Sequence, residues 1–94
     1  MNMPRARANG YMRVPPAPPP AYIPPKPSVS YMIDCINKDS YVWLRNGESF
    51  WFFPVYLQSF GVAGFRWNGV TWVFYGFDPR LVDAVACPPI PTLF

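Results

Sequence analysis

The sequence predicts a mainly β fold: about five antiparallel strands in a meander or small barrel, one short C-terminal helix, and an extended proline-rich N-terminal arm. Three observations carry this. Asn46-Gly47 and Asn68-Gly69 each separate two aromatic runs, and Asn-Gly in that setting is a strong hairpin signal. Most of the 4 Trp, 6 Tyr and 8 Phe lie between these runs and their flanks. Nine of the 14 prolines fall in residues 1–27.

The arm, residues 1–27, comes first. Proline fixes φ and removes a backbone donor, so the arm cannot be a helix or a central strand. Polyproline II or extended coil is what remains. Arg5, Arg7, Arg13 and Lys26 give it positive charge with no acid. Tyr11, Tyr22 and Ile23 are its apolar points. The body carries Lys38, Arg45, Arg66 and Arg80 against Asp34, Asp39, Glu48, Asp78 and Asp83, so it is close to neutral.

The aromatic β domain spans 28–88, with strands expected at 29–36, 41–45, 48–57, 62–67 and 70–77. Two-residue type I′ turns would pair Arg45 with Glu48, Trp43 with Phe50 and Tyr41 with Phe52. The second turn would pair Trp67 with Val70, Phe65 with Trp72 and Ala63 with Phe74. Asp78-Pro79 reads as an N-cap followed by Pro at the first helical position, predicting a helix over 79–87. Pro88-Pro89 would stop it, leaving 89–94 as an extended tail. The run from Asn46 matches the run from Asn68 22 residues on. Convergence of hairpin sequences or an internal duplication with quasi-twofold packing would each produce it.

Both faces of this sheet are apolar. Phe50 and Phe52 point one way in strand 48–57, and Trp51, Phe53 and Val55 the other. Val73, Tyr75 and Phe77 share one face of strand 70–77. A sheet with one wet face should alternate apolar and polar residues. Either a second subunit covers the excess, with Trp51, Phe53, Val55, Val73, Tyr75, Phe77, Tyr22 and Ile23 as the interface, or the sheet closes into a barrel wrapped by the arm. Pro54 marks an edge strand open to strand addition, or a bulge. Cys35 and Cys87 are buried thiols, an intrachain disulfide or a link between subunits.

Chemistry is sparse. With no His, Ser-His-Asp and Cys-His nucleophiles and His-ligated zinc are excluded. Two cysteines cannot complete a cysteine-only zinc site. Asp78 is explained as a cap and Glu48 as the turn partner of Arg45. No catalytic residue, cofactor, metal or small-molecule substrate is expected. A single-stranded nucleic acid could stack on the aromatics, but only Arg45 and Arg66 could flank them, which argues against it. The uncharged stretch 49–65 contains Pro and Gly and falls short of a spanning helix, and no apolar leader follows Arg5 and Arg7. Membrane partners are therefore not expected.

Residues 42–87 contain Arg45-Asn46-Gly47, Phe50-Trp51, Phe53-Pro54, Gly64-Phe65-Arg66-Trp67, Gly69, Trp72, Phe74-Tyr75-Gly76, Asp78 and Cys87. This pattern resembles a group of small uncharacterised proteins of spore-forming Firmicutes. The resemblance implies a spore-former source and no activity. The extra arm, Cys35 and Pro79 depart from the pattern.

The combined expectation is a non-enzymatic structural protein. It would self-assemble, as an oligomer or filament, through aromatic faces and an exchanged arm, in a spore coat or surface fibre. The alternative is a monomeric binding module, offering a proline-rich motif or holding single-stranded nucleic acid.

Overall fold

The computed structural model describes residues 13–87. It is mainly β, with five antiparallel strands in one sheet: β1 (Ser40–Leu44), β2 (Ser49–Gln58), β3 (Gly61–Trp67), β4 (Trp72–Phe77) and β5 (Val82–Ala86). Their spatial order is β4-β3-β2-β1-β5. Four strands follow the expected aromatic runs. The fifth replaces the expected helix.

Two expected elements are corrected. Residues 29–36 do not form a strand; Met32–Cys35 is a 3-10 turn. Met32 and Cys35 are buried while Ile33 and Asp34 are exposed, as suits a 3-10 turn, in which i and i+3 eclipse. The 79–87 helix is also absent. Asp78 does act as a cap, its Oδ1 accepting from the Arg80 backbone N–H at 2.9 Å, but the element it caps is the three-residue 3-10 turn Pro79–Leu81. The chain then becomes β5 and pairs with β1. The unpaired edge of β1 offers backbone partners, which outweigh a weak local helix signal. The tail 89–94 lies outside the described residues, as do residues 1–12 of the arm.

The hairpin turns are longer than expected. β1 and β2 pair Tyr41 with Trp51 and Trp43 with Ser49, a slip of one residue. Arg45-Asn46-Gly47 forms a three-residue loop, with Gly47 at φ +95° and its N–H donating to the Leu44 carbonyl. Between β3 and β4, Trp67 pairs with Trp72 and Phe65 with Phe74. The Asn68 Oδ1 accepts from the N–H groups of Val70 and Thr71, both at 2.8 Å, and Gly69 has φ +101°. Asn46 and Asn68 are not at positive φ, so neither turn is type I′. The different loop lengths break the 22-residue correspondence. Phe50 joins one apolar cluster, whereas Trp72, its match, joins the other. The hairpins follow one another along a meander and show no quasi-twofold.

Only residues 78–81 link β4 to β5, which are the opposite edges of the sheet. A flat sheet would set them about 19 Å apart, while five extended steps reach at most ~18 Å. The sheet therefore curls. Rings two strands apart meet across the curl: Phe77 lies 5.8 Å from Phe50 and 5.1 Å from Phe52. The inner face holds Val42, Leu44, Phe50, Phe52, Val62 and Val85, closed by Met32, Cys35 and Cys87. The outer face holds Tyr41, Trp51, Phe65 and Trp72, with Trp43, Phe53, Val55 and Trp67 packed against them. β4 and β5 do not pair, so the barrel stays open.

Pro54 sits in an interior strand, opposite Gly64, with the register shifting between Pro54 and Tyr56. The bulge reading holds and the edge reading does not. The Pro54 carbonyl accepts from the Asn37 N–H on the β1 side. Its nitrogen faces the same way, past the point where β1 begins, so no ladder bond is missing.

Candidate interaction surface

The curl sorts the expected interface residues onto two surfaces. Trp51, Phe53 and Val55 belong to the outer aromatic face. Tyr75 and Phe77 pack against the inner core, and Val73 lies beside Arg66. These six do not form one patch. Tyr22 and Ile23 are exposed.

The outer face is a pavement of perpendicular rings. Tyr41 meets Trp51 at 5.2 Å and Trp43 at 5.0 Å, edge to face. Trp67 meets Trp72 at 5.3 Å, and Phe65 meets Phe74 at 5.9 Å. Each is a cross-strand or neighbouring pair on one face, with offset geometry that aromatic quadrupoles favour. The indole Nε1–H of Trp72 donates to the Ala17 carbonyl at 2.9 Å, and Pro15 is buried. Part of the proline-rich segment thus lies on this face. From there the segment passes the free edge of β5. Lys26 pairs with Asp83, and Ser30 Oγ accepts from the Val85 N–H at 2.9 Å. A groove of about 510 Å³ opens there, lined by Tyr22, Pro24, Pro27, Tyr31, Cys35 and Val85 among others. The chain enters the inner face at Met32. A wrap by the arm was one of the two expected ways to cover the excess apolar surface; the contacts that make it join groups 55 residues apart, so no local pattern located them.

Cys35 and Cys87 are joined by a disulfide with 5.6 Å between their Cα atoms, so the intrachain alternative is the one the structure adopts. It ties the 3-10 turn to the end of β5.

Charged groups are engaged elsewhere. Glu48 pairs with Arg66 at 3.7 Å rather than with Arg45. Arg45 Nε donates to the Arg80 carbonyl. The Arg66 guanidinium lies 4.0 Å from the Phe50 ring centre and 4.9 Å from that of Tyr75, so it caps the inner core and does not border the outer rings. Hydrogen bonds from Arg80 hold the Asp78 carboxyl below its ordinary value, and the Lys26 hydrogen bond does the same for Asp83. Burial pushes Asp39 up. Among the described residues no three His, Cys, Asp or Glu side chains group to hold a metal, and no helix is long and apolar enough to cross a membrane.

Neither family models, curated proteins nor solved structures gave a match to this chain. The functional reading rests on the surface itself.

The two edges of the sheet differ sharply. β5 carries Asp83 and is lined by Lys26 and Ser30. β4, Trp72-Val73-Phe74-Tyr75-Gly76-Phe77, has no charge, no proline and no bulge in its pairing. Its exposed residues include Val73 at 38% and Phe74 at 60%, with Val70 at 82% in the preceding turn.

Proposed function

We propose that this is a non-enzymatic structural protein that self-assembles by pairing the β4 edge of one copy with the β4 edge of another. The observation that carries the reading is the contrast, among the described residues, between a β5 edge guarded by Lys26 and Ser30 and a β4 edge with no strand paired to it. Isolated proteins blunt such edges with charge, proline or a cover. An apolar edge with unpaired backbone groups is a template for an added strand. An antiparallel β4–β4 contact is self-complementary about a twofold axis. It joins two five-stranded sheets into one and brings Val73 and Phe74 of each copy together. The expected exchange of the proline-rich arm would add a second contact. The resemblance of residues 42–87 to proteins of spore-forming bacteria supports a spore-surface setting for such an assembly.

Size-exclusion chromatography with light scattering tests this. The full chain should elute well above 10.8 kDa, and Val73→Lys should return it to monomer, because an edge lysine opposes strand addition. A wild-type chain that stays monomeric at high concentration overturns the reading.

A further inference from the structure

We propose that the outer aromatic face is a reading site for proline-rich peptide, and that in the assembled protein its ligand is residues 13–20 of a second copy. The inference deepens the assembly reading by naming a second contact, and rests on it for the identity of the partner.

The chemistry of the site matches such a ligand. A proline-rich segment has few backbone N–H groups and keeps its carbonyls, so a surface that reads it needs flat apolar slots and a few donors. Perpendicular rings supply the slots: Tyr41 against Trp51, and Trp67 against Trp72. Trp72 supplies the donor, since an indole N–H donates and cannot accept. In the structure that donor is used on the Ala17 carbonyl, inside Pro15-Pro16-Ala17-Pro18, with Pro15 buried. The site is thus seen with a ligand of the class it fits, supplied by its own chain.

The tether explains why exchange is open. Beyond Met32 the chain is anchored by the inner core and by the Cys35–Cys87 disulfide. Before Ser30 the described segment holds on through the Trp72 hydrogen bond, the Lys26–Asp83 pair and the burial of Pro15. Tyr22 and Ile23, between these holds, are exposed. Releasing the segment gives up the burial of Pro15, one hydrogen bond and one exposed ion pair, and every one of them can be remade with a neighbour's segment. Swapping an identical element in this way is a low-cost route to association.

The test uses full-length chains labelled with nitrogen-15, the Trp72 indole N–H signal being assigned with Trp72→Phe, which keeps a ring and removes the donor. The triple variant Pro15→Gly, Pro16→Gly, Pro18→Gly should move that signal. Adding a synthetic peptide of residues 13–22 should restore it. Wild type should need at least about tenfold more peptide, because the tethered segment competes at high effective concentration. A Trp72 signal that the triple variant leaves in place, or that the peptide does not restore, overturns the site.

The partner is tested with Val73→Lys added to every chain, so that edge pairing is absent. Mixing the triple variant with Trp72→Phe should then give a two-chain species by native mass spectrometry, formed from the intact site of one and the intact arm of the other. Peptide binding without that species overturns the second copy as ligand and leaves the segment acting within its own chain. Persistence of large assemblies in Val73→Lys, with peptide binding intact, overturns the edge reading alone.

Discussion

A Cβ on Gly64 would lie 2.1 Å from the Phe53 carbonyl oxygen and 2.8 Å from the Pro54 Cα. Strands β2 and β3 approach this closely where Pro54 faces Gly64 and the register shifts. The obstructing atoms are backbone and cannot swing aside. Gly64→Ala should therefore destabilise the fold by more than the ~1 kcal/mol ordinarily lost to a single substitution, read as a lowered denaturant midpoint.

Gly69 provides the contrast. It has φ +101° but open space where a Cβ would go. Gly69→Ala should cost about 1–2 kcal/mol, the usual penalty for a side chain in left-handed backbone, and less than Gly64→Ala. Equal losses at the two sites would show that β2 and β3 can separate to admit a methyl group.

The disulfide closes a loop of 52 residues in sequence separation. Chain entropy alone gives about 4 kcal/mol for a loop of that length. Replacing both cysteines by Ser, or reducing the bond, should lower stability by an amount of that order. It should also loosen the 3-10 turn over the inner face before the sheet itself unfolds. Hydrogen exchange should show faster exchange at Cys35 and Val85 than in β2 and β3.

Phe52 is fully buried at the centre of the inner face, touching Phe50, Tyr75 and Phe77. Phe52→Ala should cost about 3–5 kcal/mol in cavity and lost burial. Phe74→Ala, at an exposed edge ring, should change monomer stability far less. A calorimetric comparison in the Val73→Lys background separates the fold from assembly.

Acid should act on the arm. The Asp83 carboxyl is lowered by its hydrogen bond from Lys26, and then by that residue's charge. A lowered carboxyl contributes stability above its ordinary value of 3.8, and that contribution fades as pH falls through the lower folded value. Asp78, held down by Arg80, behaves likewise. Asp39 has the opposite sign: burial raises it, so its protonation on acidification favours the fold. Asp83→Asn should reduce the acid-side loss of melting temperature and leave the share that belongs to Asp78. The Lys26–Asp83 pair is exposed, so added salt should shrink the difference between the two proteins.

Four strands and two turns were legible in the sequence because their signals are local. Alternation along Ser49–Gln58 assigned Phe52 and Trp51 to opposite faces, and Asn-Gly placed both reversals. Register was less legible. One residue more in the loop at Asn46 moved Trp51 opposite Tyr41, and loop length is chosen by how the strands twist together. The outer aromatic face was legible as excess and the arm as one cover for it, but the contact itself was not, since Ala17 and Trp72 meet only once the chain has wrapped the sheet.

Composition and alternation by themselves determined a β sheet apolar on both faces, with a basic proline-rich segment beside it. Tertiary structure decided the rest. It made β5 from a segment with helical start signals, because β1 needed backbone partners. It folded 29–36 into a cover, because the curled inner face needed a lid at Met32 and Cys35. It joined Cys35 to Cys87. Each of these depends on which groups must be buried or hydrogen-bonded after the sheet has formed, and no local pattern carries that information.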